Sequence, residues 1–192
     1  MNKINQIQKL WFGVEKIENP IIVSPVQGIH QELLRIYKPK KELGGWYNPS
    51  VISLNKTDFL VVQIPMGKAS EDIAKVIESS IPIYMLGYCG SLNRDLKIGE
   101  IVQNYNNSVI IPEFKKVKVQ TMEGLLDNRY KENSEVVDME NELFERYIDN
   151  YSGYFIVSDL PYSKPFFQIT KSDNKKIKQS QSKLIKLLGE TI

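Results

Sequence analysis

Residues 81–102, IPIYMLGYCGSLNRDLKIGEIV, constrain the fold more than any other stretch of the chain. The apolar run Ile81–Leu86 is bounded by turn residues, which is the pattern of a buried strand. It runs into Gly87-Tyr88-Cys89-Gly90, turns through Asn93-Arg94-Asp95 and resumes at Ile98–Val102. Two glycines at the carboxyl end of a strand permit positive φ and let backbone amides approach a ligand. In open α/β sheets, ligands bind outside the carboxyl ends of the strands. Residues 87–91 are therefore expected either to floor a site or to form a plain strand-to-loop turn. Ile81–Leu86 is expected at the middle of the sheet.

Strand and helix periods interleave along the rest of the chain. Strands are expected at 20–25, 50–54, 59–64, 100–105, 109–112, 117–121 and 154–157, with a short apolar step at Val136-Val137. Helices are expected at 28–37, 69–79 and 139–151, and over a closing segment capped by Ser172 or Asp173. Residues 1–10 read as a short helix or an arm, 38–48 as a loop or hairpin, and 127–134 as a solvated loop. Residues 160–169, with two prolines and paired phenylalanines, read as an ordered loop or lid. The expected architecture is α/β and three-layered, a central mixed sheet with helices on both faces.

A chain of 192 residues without an internal repeat or linker is expected to be a single domain, 1–192. Its 25 basic and 23 acidic residues give a net charge of +2, no warrant for a nucleic-acid or membrane surface. The single cysteine, Cys89, excludes an intramolecular disulfide and a multi-cysteine zinc site. No run approaches the roughly 18 apolar residues of a membrane span, and the start lacks the apolar core of a signal peptide. A cytoplasmic location is expected. The only histidine, His30, lies on or beside a helical stripe and reads as structural.

Three places carry candidate chemistry: the glycine segment, Asp138-Met139-Glu140 and Ser158-Asp159. The residues alone leave alternatives. Asp159 can be a turn residue before Pro161. Glu140 at a helix start is favoured by the dipole in any case. Cys89 at a strand end is commonly a small buried hydrophobe.

Their order carries a resemblance. Pro65-Met66-Gly67-Lys68 precedes a helix. Gly87-Tyr88-Cys89-Gly90-Ser91 is followed by Leu96-Lys97-Ile98-Gly99-Glu100-Ile101-Val102. Val137-Asp138-Met139-Glu140 and then Ser158-Asp159 come after. This series resembles the purine and uridine nucleoside phosphorylase superfamily, which includes the methylthioadenosine/S-adenosylhomocysteine nucleosidases. It spans residues 58–160. The resemblance implies cleavage of the N-glycosidic bond of a purine-type nucleoside. It implies Asp159 as the acid that serves the departing base, since a purine leaves more easily when a positioned acid meets its N7. It implies Glu140 as acceptor for the ribose hydroxyls, Met139 under the sugar, and Cys89, Gly90 and Ser158 in contact with the substrate. It implies no cofactor and no metal, a small-molecule nucleoside as partner, and a homodimer or homohexamer. The exposed aromatics Trp46-Tyr47 and 162–167 are candidate lid or interface residues.

Departures from the family bear on the nucleophile. Phosphorylases of the hexameric type carry a Gly-Asp-Pro loop after the first strand and an arginine before the glycine turn, both binding phosphate. Here Ser24-Pro25-Val26-Gln27-Gly28 and Met85 stand there, and Tyr88 replaces a small serine. Arg94 reads as a surface residue. Without cationic partners phosphate is poorly bound, so hydrolysis is expected over phosphorolysis, in which phosphate would be the co-substrate. Glu15, Gln27 and Glu32 are candidates by position for the group that orients the water. The alternatives are a phosphorylase with an atypical phosphate site and a nucleoside-binding relative without turnover.

Overall fold

Alternation within one apolar run explains how the sheet is buried on both faces. The structure, a computed structural model, describes residues 2–124, 127 and 129–192. Along the chain lie helix α1 (Lys3–Phe12), strand β1 (Ile21–Ser24), α2 (Gln27–Ile36), β2 (Lys41–Glu42), β3 (Ser50–Leu54) and β4 (Thr57–Gln63). A 3₁₀ turn (Gly67–Ser70) leads into α3 (Glu71–Lys75), followed by β5 (Ile83–Ser91), β6 (Ile101–Asn104), β7 (Lys115–Val117), β8 (Val119–Thr121) and β9 (Val136–Asp138). Then come α4 (Asn141–Glu145), β10 (Tyr151–Asp159), a 3₁₀ turn (Phe166–Gln168) and α5 (Lys171–Thr191).

The strands order as β2-β3-β4-β1-β5-β10-β6-β7. β4, β1, β5 and β10 are mutually parallel at the centre. β3 and β6 flank them antiparallel. The far end of β5 pairs antiparallel with β9, which carries β8 in parallel. Ile83 and Met85 pack with Phe155 and Val157 on one face, together with Phe12, Ile73 and Phe144 from α1, α3 and α4. Tyr84 and Leu86 pack with Tyr154 and Ile156 on the other, under Ile29 and Leu33 of α2 and Leu184, Ile185 and Leu188 of α5. Ile83 and Leu86 are wholly buried. The sheet is mixed, helix-covered on both faces, and centred on β5 as expected.

Several expected boundaries move, each for a physical reason. The Gly87–Gly90 segment is not a turn: β5 runs through it to Ser91, and neither glycine has positive φ. These glycines supply space instead. A Cβ on Gly87 would lie 3.2 Å from the Phe155 ring, and one on Gly90 2.9 Å from Pro161. Residues 109–112 form no strand, because their backbone is met by side chains. Gln103 Nε2 donates to the Ile111 carbonyl at 2.8 Å and its Oε1 accepts from Ile111 N at 3.0 Å. Val109 N donates to Ser152 Oγ at 2.9 Å.

The helix expected over 139–151 shrinks to α4. Glu140 precedes its first turn, and the chain is drawn into the sheet where Ile83 N donates to the Asn150 carbonyl at 2.9 Å. The helix expected over 69–79 likewise shortens to a 3₁₀ turn and α3. Of the solvated loop expected over 127–134, residue 128 lies outside the described residues.

The cap of α5 is Thr170, not Ser172 or Asp173. The Thr170 hydroxyl accepts from Asp173 N at 3.3 Å, while Asp173 Oδ2 accepts from Thr170 N at 2.9 Å, a reciprocal capping box. Thr170→Ala should therefore lower the unfolding free energy by about 1 kcal/mol. The urea midpoint should fall with its slope unchanged.

Candidate active site

The parallel centre of the sheet brings three strand ends together. Pro25 and Val26 follow β1, Cys89 and Gly90 lie in the last third of β5, and Ser158 and Asp159 end β10. All line one cleft of ≈ 360 Å³. The β9–α4 junction supplies Asp138, Met139 and Glu140 to the same cleft, and the segment after β10 covers it with Phe166 and Phe167. Asp159, Met139, Glu140, Cys89, Gly90 and Ser158, expected to serve or contact the substrate, all line this one cleft.

Asp159 is set by a β-bulge. Val157 pairs with Cys89, but the next paired residue opposite Gly90 is Asp159, leaving Ser158 as the extra residue. Bulges of this kind re-aim a side chain. The Ser158 hydroxyl donates to Asp159 Oδ1 at 2.9 Å and lies 3.2 Å from the Cys89 carbonyl. Burial lifts the Asp159 carboxyl above the ordinary range, opposed by the Ser158 hydroxyl and the Phe166 amide. A carboxyl raised in this way holds its proton closer to neutral pH, which is what a general acid needs.

Glu140 reaches the cleft from the other side. Its Oε1 accepts from Gly67 N at 2.6 Å. Gly67 has φ +68, a left-handed backbone suited to glycine, and a Cβ there would lie 3.2 Å from Met139 Cε. Burial raises the Glu140 carboxyl, opposed by the Gly67 and Met139 backbone. Beside it Asp138 is buried, with a carboxyl pushed up to about 7 by burial and then by the charge of Glu140. Cys89 is buried, and burial pushes its thiol well up. It is a wall residue, not a nucleophile.

No family model matches the chain, and no curated protein matches it in sequence. Solved structures do. The 5′-methylthioadenosine/S-adenosylhomocysteine nucleosidase of Campylobacter jejuni is similar over 90% of this chain and 97% of that one, with TM-score 0.73 at 12% identity. An MTAN of Chlamydia trachomatis is similar over 92% and 100%, with TM-score 0.71 at 11% identity. The futalosine hydrolase of Helicobacter pylori is similar over 91% and 97%, with TM-score 0.65 at 12% identity. The chain has the nucleoside phosphorylase/hydrolase fold.

Within that nucleoside phosphorylase/hydrolase fold the β1 side of the cleft is apolar. Glu15 stands at the surface, 2.9 Å from Lys9. Glu32 is bound to Arg35 at 2.7 Å and to Ser182 at 2.6 Å in the α2–α5 layer. Gln27 is exposed at the start of α2. None of the three lines the cleft, whose β1 edge is Pro25 and Val26. Met85, where phosphorylases of the hexameric type carry arginine, is wholly buried against Tyr151. No lysine or arginine is among the described lining residues, and no group of three or more His, Cys, Asp and Glu among the described residues could hold a metal ion.

Sequence reasoning named Asp138 within Asp138-Met139-Glu140 but missed a role of its own for it. It also missed Met122 and Tyr130, whose positions depend on how β8 and its loop pack. Trp46 is exposed at the surface while Tyr47 packs on Trp11 and Phe12. Tyr162 stacks edge-on with Tyr130, with centroids 5.2 Å apart.

The raised carboxyls make stability depend on pH. Asp138 titrates at about 7 in the folded chain, against about 3.9 when unfolded. Between those values the native state holds a proton that the unfolded state has released. The contribution is full below pH about 4 and is lost as pH rises toward about 7. Glu140 and Asp159 act in the same sense. Glu32, Asp127 and Asp173, held low by their partners, act in the opposite one. The gap in denaturant midpoint between wild type and Asp138→Asn should therefore change across that window, to the disadvantage of the wild type as pH rises.

Proposed function

We propose that the chain cleaves the N-glycosidic bond of a purine-type nucleoside, with water as the nucleophile. The observation that carries this reading is the opening of Asp159 and Glu140, each with a carboxyl raised by burial, into one cleft at the carboxyl ends of parallel strands. As the bond between C1′ and the base nitrogen breaks, its electron pair moves onto the base and positive charge builds on the ribose. Asp159 gives its proton to N7 of the departing base. Glu140 accepts the ribose hydroxyls and its charge faces the developing cation. Water adds to C1′ and gives up a proton to solvent, from which the Asp159 carboxylate regains the one it gave to the base. Met139 packs under the sugar, and Cys89, Gly90 and Ser158 form the floor.

Hydrolysis is favoured over phosphorolysis because the lining holds Asp127, Asp138, Glu140 and Asp159 but no cation among the described residues. An oxyanion co-substrate would meet uncompensated like charge. One observation favours a second reading, a nucleoside-binding protein without turnover: none of the carboxylates expected to orient water lines the β1 side. A nucleoside panel assayed for released base, with and without phosphate, separates the readings. Free sugar without a phosphate requirement supports hydrolysis. Sugar 1-phosphate overturns it in favour of a phosphorylase, and tight binding without release overturns turnover altogether.

Assembly belongs to the same proposal. The resemblance and the exposed Tyr162, Phe166 and Phe167 beside the cleft support a homodimer or a hexamer built from dimers. Light scattering should show a species of at least twice the 22.2 kDa chain mass. A monomer across micromolar concentrations would contradict it.

A further inference from the structure

We propose that Asp138 is a positioning residue that presents Glu140 to the sugar, a role that rests on the reading of Glu140 given above. Asp138 is 5% exposed and ties three pieces of cleft wall together. Its Oδ1 accepts from the Thr121 hydroxyl at 2.8 Å. Its Oδ2 accepts from Glu140 N at 3.1 Å and Asn141 N at 2.6 Å. Its own carbonyl accepts from Met122 N at 2.8 Å. The Thr121 hydroxyl in turn accepts from Glu142 N at 2.8 Å, so one side chain of β8 links the carboxylate to the next turn of backbone.

The division of labour follows from which oxygens are already engaged. Both Asp138 oxygens are met by donors of the protein, so this carboxylate acts on a ligand through its neighbours. Glu140 differs. Its Oε1 is met by Gly67 N, and its carboxyl lines the cleft, where a ligand can reach it. The direction of the Glu140 side chain depends on its backbone, where φ is −131 just outside α4. That backbone N–H is bound by Asp138. Alanine at 138 would leave the Glu140 and Asn141 N–H groups without their acceptor, and an unmet buried donor is costly enough to shift the backbone.

The test compares formycin A with free adenine. Formycin A is a C-nucleoside whose ribose is joined to the base through carbon, so it cannot be hydrolysed. Asp138→Ala should weaken formycin A binding by roughly 10- to 100-fold, and Thr121→Val by roughly 3- to 10-fold. Thr121→Ser, which keeps the hydroxyl, should restore the wild-type value. Adenine, which lacks the sugar, should bind all four proteins within about a factor of two, since a disordered cleft would lose both ligands together. With a hydrolysed nucleoside the variants should raise KM more than they lower kcat.

If Asp138→Ala does not fold, the Thr121 pair decides: Val must lose formycin A and Ser must regain it. Equal formycin A affinity in Asp138→Ala or Thr121→Val and the wild type, or parallel loss of adenine, overturns the positioning role alone. A wild type that binds neither ligand overturns the proposed function, and the positioning role falls with it.

Discussion

Asp159→Asn should lower kcat by roughly 10²- to 10⁴-fold while leaving nucleoside affinity nearly unchanged. Asparagine keeps the shape and can still accept from the Ser158 hydroxyl, which donates at 2.9 Å in the wild type. It has no acidic proton to give the departing base. Nucleosides with better leaving groups should recover part of the loss, because they need less help from an acid. The pH profile should change with it. Wild-type kcat should fall as pH rises through the raised Asp159 pKa, and that limb should vanish in the variant. Full activity of Asp159→Asn on every substrate the wild type accepts would exclude the mechanism proposed here.

Glu140→Gln should act on the other half of the substrate. The amide oxygen can still accept from Gly67 N, which lies at 2.6 Å in the wild type. The second oxygen is replaced by an NH₂ donor, and the charge-assisted bond it accepted from the ribose hydroxyls is lost. KM should rise by roughly 10- to 100-fold. kcat should fall as well if the carboxylate contact strengthens as the ribose becomes cationic. Near pH about 4 both variants should keep their denaturant midpoints near the wild-type value, since neither opens a cavity, and as pH rises the wild type should lose ground to both. A variant that binds the nucleoside as the wild type does would remove Glu140 from the sugar site.

The central architecture was legible because its signal is local. The run Ile81–Leu86 had to be covered on both faces, and alternation within it assigns Ile83 and Met85 to one helical layer and Tyr84 and Leu86 to the other. Asp159 and Glu140 were legible through motif order, not through any property of an isolated aspartate or glutamate. What escaped was set by contacts distant in sequence. Residues 109–112 have strand composition, but Gln103 takes up the backbone groups a ladder would need. Helical periodicity continued past Glu145, but sheet pairing at Tyr151 claimed the chain. The glycines of β5 pointed to the right place for the wrong reason, since their role is to make room for Phe155 and Pro161 while the backbone stays extended. The role of Asp138 was hidden because its partners lie on β8 and α4, which only folding brings together.

The bulge that places Asp159 also separates two kinetic roles. The Asp159 backbone is paired with Gly90 of β5, so in the proposed reaction this residue stays with the frame as a product leaves. The aromatic cover, residues 160–169, is closed on itself by the bridge between Leu160 and Lys164 and tied to α5 by the pairing of Lys164 with Asp173. Bond cleavage and product escape are thus assigned to different parts of the chain. Lys164→Met, which removes the pair with Asp173, should alter escape, and with it any viscosity dependence of turnover, while the single-turnover rate of cleavage stays as it was.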